Sequence, residues 1–182
     1  MQRMKSKVIE TCLIAILPFL LVGLGNAQTA TDSCYIGNVN SNGGHSFSIE
    51  INISNTDTLA GFQIPFSFSY GNIGITCDSV SYLGSRCQHF DCLYAKIDST
   101  AKTVFLMGIS GVNVDLDTPP LLPGSGKIAT IYFSVSSVSQ NVEVNIVKTR
   151  IRDQFRDFSF TFWDVRGESI QSSFATVPIK IR

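Results

Sequence analysis

The densest group of reactive side chains is the stretch "CQHFDC", which places Cys87, His89, Asp91 and Cys92 within six residues. Thiolates, an imidazole and a carboxylate together can hold zinc. The same two cysteines, in an oxidising compartment, close a short loop as a disulfide. Structural zinc sites space their cysteines more tightly than Cys87 and Cys92, so the disulfide is favoured and no metal is assigned. Cys34 and Cys77 would complete an even set of four once the fifth cysteine, Cys12, is removed with the leader described below. Four cysteines allow three connectivities, and the pattern expected is Cys87 with Cys92 and Cys34 with Cys77.

No other constellation points to catalysis. His45 and His89 are the only histidines. His45 follows "NSNGG", a turn sequence. No Ser–His–Asp order can be argued from spacing, and no glycine-rich loop opens a helix to cradle phosphate. Acidic residues are scattered through turns, with nothing to single out a glycosidase pair. Asp57, Asp115 and Asp117 lack the spaced ligands of a calcium loop. Asn52-Ile53-Ser54 is a glycosylation sequon. The reading is a chain that is not an enzyme, with no catalytic residues and no cofactor.

The compartment is set by the first residues. Arg3, Lys5 and Lys7 precede an apolar run, "CLIAILPFLLVGL" (12–24), and small residues at Gly25 and Ala27. This is the pattern of a secretory signal peptide over residues 1–27, cut after Ala27. The run is short for a membrane span and contains Pro18, and no second apolar segment follows. Residues 28–182 then form one exported domain, with no membrane attachment after cleavage, secreted or held at the cell surface. Removing the leader leaves 11 basic against 13 acidic residues. No basic stripe remains, so nucleic acid is excluded as a partner.

The elements that must position these residues alternate with period two. In "HSFSIEINIS", Phe47, Ile49, Ile51 and Ile53 share a face. In "AGFQIPFSFSYG", Phe62, Ile64, Phe66, Phe68 and Tyr70 share one, and Gln63, Pro65, Ser67 and Ser69 share the other. "NIGITCDSVSYLG" reads as a strand. "AKIDSTAKTVFLMGIS" reads as a hairpin turning at 98–102. "NVDLDTPPLLPGSG" is a loop, because prolines cannot supply ladder donors. "GKIATIYFSVS", "VEVNIV", "FSFTFWDV" and "TVPIKIR" complete nine or ten strands. No helical period appears after the leader. The fold expected is all-β, an antiparallel two-sheet sandwich of jelly-roll type.

Three pieces in their order resemble a cohesin domain: "FSIEINISNTDTLAGFQIPFSFSYG", "ITCDSVSYLGS" and "GSGKIATIYFSVS", closed by "PIKI". Cohesins are secreted bacterial jelly-roll sandwiches of nine strands, related in fold to cellulose-binding modules. The resemblance implies that the strand 60–70 and the strand 103–109 lie in the sheet on which cohesins dock dockerins. In "TVFLMGI" both parities are apolar. Phe105, Met107 and Ile109 are expected inside, and Val104, Leu106 and Gly108 outside. Gln63, Ser67, Val104 and Leu106 are then the expected partner-binding residues, unless the loop 113–124 covers them. Small polar groups around an apolar patch suit an interaction site.

An alternative is a carbohydrate-binding module. Trp163 alternates against Phe158, Phe160 and Phe162, and Tyr132 against Ile131 and Phe133. Both rings would face outward and stack on sugars in polysaccharide recognition.

Overall fold

A computed structural model describes residues 31–41, 45–71, 74–112, 118–136, 142–152, 156–176 and 178–181. The expected signal peptide, and Asp115 and Asp117, lie outside the described residues. Residues from Thr31 onward form one compact unit.

Alternating apolar side chains dictate strands, and no helix occurs among the described residues. The strands are β1 (Asp32–Ser41), β2 (Ser46–Asn55), β3 (Leu59–Ser69), β4 (Ile75–Ser81), β5 (Cys92–Asp98), β6 (Thr103–Ile109), β7 (Gly124–Val135), β8 (Val142–Lys148), β9 (Ile151–Arg152), β10 (Asp157–Phe158), β11 (Thr161–Asp164), β12 (Ser169–Ile170), β13 (Ser172–Ala175) and β14 (Ile179–Ile181). The first sheet runs β13-β1-β2-β7-β4, and the second β12-β11-β3-β6-β5 with β8 and β14 joined through β3. β13 lies parallel to β1, and the other pairings are antiparallel. This is the all-β jelly-roll sandwich expected.

Phe47, Ile49, Ile51 and Ile53 of β2 face Phe62, Ile64, Phe66 and Phe68 of β3, and all are at most 2% exposed. Phe133 ties the layers together: its ring stacks on Phe47 at 5.0 Å and meets Phe68 edge-on at 5.2 Å. Each such side chain contributes roughly 1.5–3 kcal/mol through removal from water.

Two elements depart from the sequence reading. β1 carries "DSCYIGNVNS", whose alternation is broken by a register shift between Ile36 and Val39. "FSFTFWDV" is two pieces, because the chain leaves the strand path between Phe158 and Thr161.

Pro65 explains how the second sheet is assembled. Its carbonyl accepts from the Thr149 amide at 3.2 Å, so the residue turns its polar groups away from β6. On that side β3 has two neighbours in succession: β8 along Phe66–Ser69 and β11 along Leu59–Gln63. The donor that proline lacks therefore falls where one neighbour ends and the next has not begun. No ladder bond is lost there.

Among the described residues the four cysteines are separate thiols, not the two expected disulfides. Cys34 lies on β1 and Cys77 on β4, with β2 and β7 between them. Three strand spacings put their backbones roughly 14 Å apart, about twice what a disulfide spans. Cys87 is buried in the core, where its thiol donates to the Ile128 carbonyl at 3.4 Å. Cys92 pairs with Ile109 on the opposite, outer side of β5. Burial pushes the Cys34 and Cys87 thiols up, and burial together with the Asp78 carboxylate pushes Cys77 up to about 12.

Candidate docking face on the second sheet

β3 and β6 pair as Phe62↔Gly108, Ile64↔Leu106 and Phe66↔Val104. Directly opposed residues share a face. Since β3 turns its phenylalanines inward, Val104 and Leu106 must point inward too, and both are fully buried. The expectation that they form the outer surface is therefore corrected. The small inner set is required by β3: a Cβ at Gly108 would lie 2.6 Å from the Phe62 ring.

The outer face consists instead of the other parity. Gln63, Pro65 and Ser67 of β3 lie opposite Met107, Phe105 and Thr103 of β6. Beyond them come Cys92, Tyr94, Lys96 and Asp98 of β5. Gln63 and Ser67 thus keep their outward places, half-buried. The signal that was available lies in the β5–β6 hairpin. Lys96 pairs with Phe105 and Asp98 with Thr103, so charged partners mark Phe105 as outward.

An outward Phe105 would be costly in water, and it is only 4% exposed. Its cover is an arm of the chain, described over residues 149–152 and 156–160, in which β9 pairs with β10. The Phe158 ring lies 4.7 Å from that of Phe105. The proline-rich loop does something else. Leu121 exchanges two backbone hydrogen bonds with Leu59, and Arg86 donates to the carbonyls of Leu122, Gly124 and Ile53.

The arm covers only part of the sheet. Between it and the strands is a groove of about 340 Å³, walled by Tyr94, Lys96, Phe105 and Met107 on the sheet and Ile151, Arg156 and Phe158 on the arm. Tyr94 is 47% exposed. On the arm, Arg150 and Arg152 share the carboxylate of Asp157, at 3.9 and 2.9 Å.

The "CQHFDC" cluster does not converge. The His89 ring reaches the surface and lies 3.0 Å from the Pro119 carbonyl, while Cys87 is inside. No three described His, Cys, Asp or Glu side chains are grouped to hold a metal. The aromatic pair is also divided. Tyr132 is on the first sheet and Trp163 on the second, so they form no common platform. Beside Trp163 is a concavity that includes Asp164 and Arg166. There the Asp164 carboxylate already accepts from the Glu168 and Arg166 amides and the Arg166 guanidinium, bonds that hold its pKa down.

The strand order and layering have counterparts among solved structures. A cohesin bound to its dockerin from Acetivibrio cellulolyticus, the third of ScaC, superposes with a TM-score of 0.63 at 16% identity, over 83% of this chain and 99% of that one. The fold is that of the cohesins. The OlpC cohesin–dockerin complex from Clostridium thermocellum gives 0.61 at 15% identity, over 86% and 98%. A non-cellulosomal cohesin from the archaeon Archaeoglobus fulgidus gives 0.57 at 14%, over 84% and 92%. No family model matches the sequence, and no curated protein matches it either. The cohesin likeness is therefore one of architecture, carried by layers and strand order.

Proposed function

We propose that the chain is an exported, non-catalytic module that captures a dockerin-like protein on the outer face of β5, β6, β3 and β8. The observation that carries this reading is the outward row Tyr94, Met107 and Gln63, which the arm leaves partly open while covering Phe105. Cohesin neighbours crystallised with dockerins support the same class of partner. Gln63 and Ser67 belong to this face, and Val104 and Leu106 do not. Polysaccharide recognition is disfavoured, because Trp163 and Tyr132 are on separate sheets and Asp164 is saturated by its own turn.

The test is binding of the exported protein to a panel of purified dockerin domains, measured by interferometry. Tyr94→Ala and Gln63→Lys should weaken capture about tenfold or more without changing the melting temperature. Capture unaffected by both substitutions, or lost in Tyr132→Ala, would place the interface elsewhere. Export is tested by N-terminal sequencing of the secreted product, which should begin at Gln28.

A further inference from the structure

The outer face of the second sheet continues past the part that the arm covers. Cys92, Ile109, Gly61 and Trp163 stand abreast on β5, β6, β3 and β11. The next row is Tyr94, Met107, Gln63 and Thr161. Both rows have the parity opposite to the buried Phe62 and Ile64, so both point outward. None of the eight side chains carries a formal charge. Charge begins one row further on, at Lys96, beside the covered Phe105.

Gly61 opens a gap in this layer of side chains. The Trp163 indole lies over it: a Cβ on Gly61 would come within 3.2 Å of the ring. β3 also carries one extra residue here, Ala60, between its pairings with Trp163 and Asp164. A bulge of this kind re-aims the side chains beside it. The result is a concavity of about 490 Å³, with Ala60 and Gly61 as its floor, Ile109 and Trp163 as its walls and the 164–167 turn at its rim. The charges at that rim are paired with one another, Arg166 holding Asp164 at 2.8 Å and Glu168 at 2.9 Å. A glycine in a strand interior marks a place where another molecule can approach the backbone closely.

No strand can be added on this face, because β3 and β6 are each paired on both sides. A partner is met by side chains alone, which suits a helix. β5 and β11 are three strand spacings apart, roughly 14 Å, and between two and three turns of helix cover that distance. A charge buried here would find no opposite charge, at a cost that excludes it from the contact. We infer that the docking face reaches β11, and that its partner is a helix with an uncharged apolar stripe, seated at one end beside Trp163 and Gly61 and at the other against Tyr94. Trp163 is the principal anchor, as a tryptophan at the edge of an apolar notch suits. This rests on the docking reading above and adds the partner's chemistry and the residue that most affects affinity.

The test uses a displayed library of helices without tryptophan, in which positions i, i+4, i+7 and i+11 are coded as Leu, Met, Ser, Glu or Lys. The target is the chain beginning at Gln28. Enriched clones should carry Leu or Met and no charge at these positions, and their affinity should change less than about twofold between 50 and 300 mM salt. Trp163→Ala and Ile109→Lys should each weaken them about tenfold or more, with melting curves confirming that both variants remain folded. Trp163 is the only tryptophan, so its emission reports contact without any substitution and should shift to the blue on binding. Clones that need Tyr94 and Gln63 but neither move the emission nor respond to Trp163→Ala would overturn the extension to β11 and leave the docking face standing. Enrichment of charged, salt-sensitive clones would overturn the partner's chemistry. Retention on insoluble polysaccharide that is lost in Trp163→Ala would assign the ring to sugar instead. Enrichment indifferent to both Tyr94 and Trp163, or no enrichment at all, would overturn the inference and the docking reading together.

Discussion

The two sheets have similar inner faces and opposite outer ones. Outside the first sheet are Ser48, Glu50, Asn52, Tyr132 and Ser134, and several of its polar groups bond locally. Asn38 donates to Glu50, and Tyr35 bonds Ser125. Outside the second sheet are Pro65, Phe105, Met107 and Tyr94. A sandwich needs only one apolar face per sheet. The first sheet meets that need and stops. The second has an apolar surplus, which the chain's own arm covers in part. What distinguishes the proposed docking surface is this surplus, beyond what the core consumes.

The comparison breaks most sharply at β6. Leu106→Asp should destabilise the protein by about 4 kcal/mol or more, since a charge would be placed in the sealed core. Neighbouring Tyr94→Ala should change stability by only about 0.5 kcal/mol and act on binding instead. Urea unfolding of the pair measures both. Equal losses would mean that the two faces of the sheet are not energetically distinct.

Next in size is Gly108→Ala. The added methyl would meet the Phe62 ring at 2.6 Å, and overpacking of this kind costs roughly 1–3 kcal/mol. Phe158→Ser should follow at about 1–2 kcal/mol, as Phe105 loses its aromatic cover. It should also increase binding of a hydrophobic dye to the second sheet.

Cysteine reactivity separates inside from outside without a substitution. In the chain beginning at Gln28, only Cys92 should be alkylated while folded, and all four cysteines after urea without reductant, by intact mass. Cys77, with its pKa raised to about 12 by burial first, adds a pH effect. Its proton is held more tightly in the folded state, so its contribution is full below the thiol's ordinary value near 8.5. That contribution declines as pH rises from there toward 12. Melting temperatures should fall on that side. The smallest effect is Tyr132→Ala, which should alter stability by less than about 0.5 kcal/mol and leave partner binding unchanged.

Much of the fold could be read from alternation alone. β2 and β3 each have one apolar and one polar parity, so their inner faces were unambiguous, and β7 followed from Ile131, Phe133 and Val135. The proposed docking face was harder for a specific reason. "TVFLMGI" is apolar on both parities, and choosing the larger set as core inverted it. Orientation of β6 is fixed by pairing with β3, whose Phe62, Ile64 and Phe66 are about 40 residues away in sequence. Only the charged partners Lys96 and Asp98, inside the local hairpin, held the answer nearby. The cysteines failed for the same cause: an even count says nothing about which strands separate Cys34 from Cys77. The arm could not be foreseen because "FSFTFWDV" has uninterrupted alternation, and only pairing shows that Phe158 left the sheet.

Pro65 has a consequence for how such a protein can change over time. Across from it, β3 makes no strand pairing with the chain between Lys148 and Thr161 and takes only one bond there, from the Thr149 amide to the Pro65 carbonyl. That stretch can be lengthened, shortened or recharged while both flanking strands keep their pairings, since longer surface excursions add little entropic cost. The proline marks a natural splice point, a place where the connection between two strands can be rewritten without disturbing either pairing.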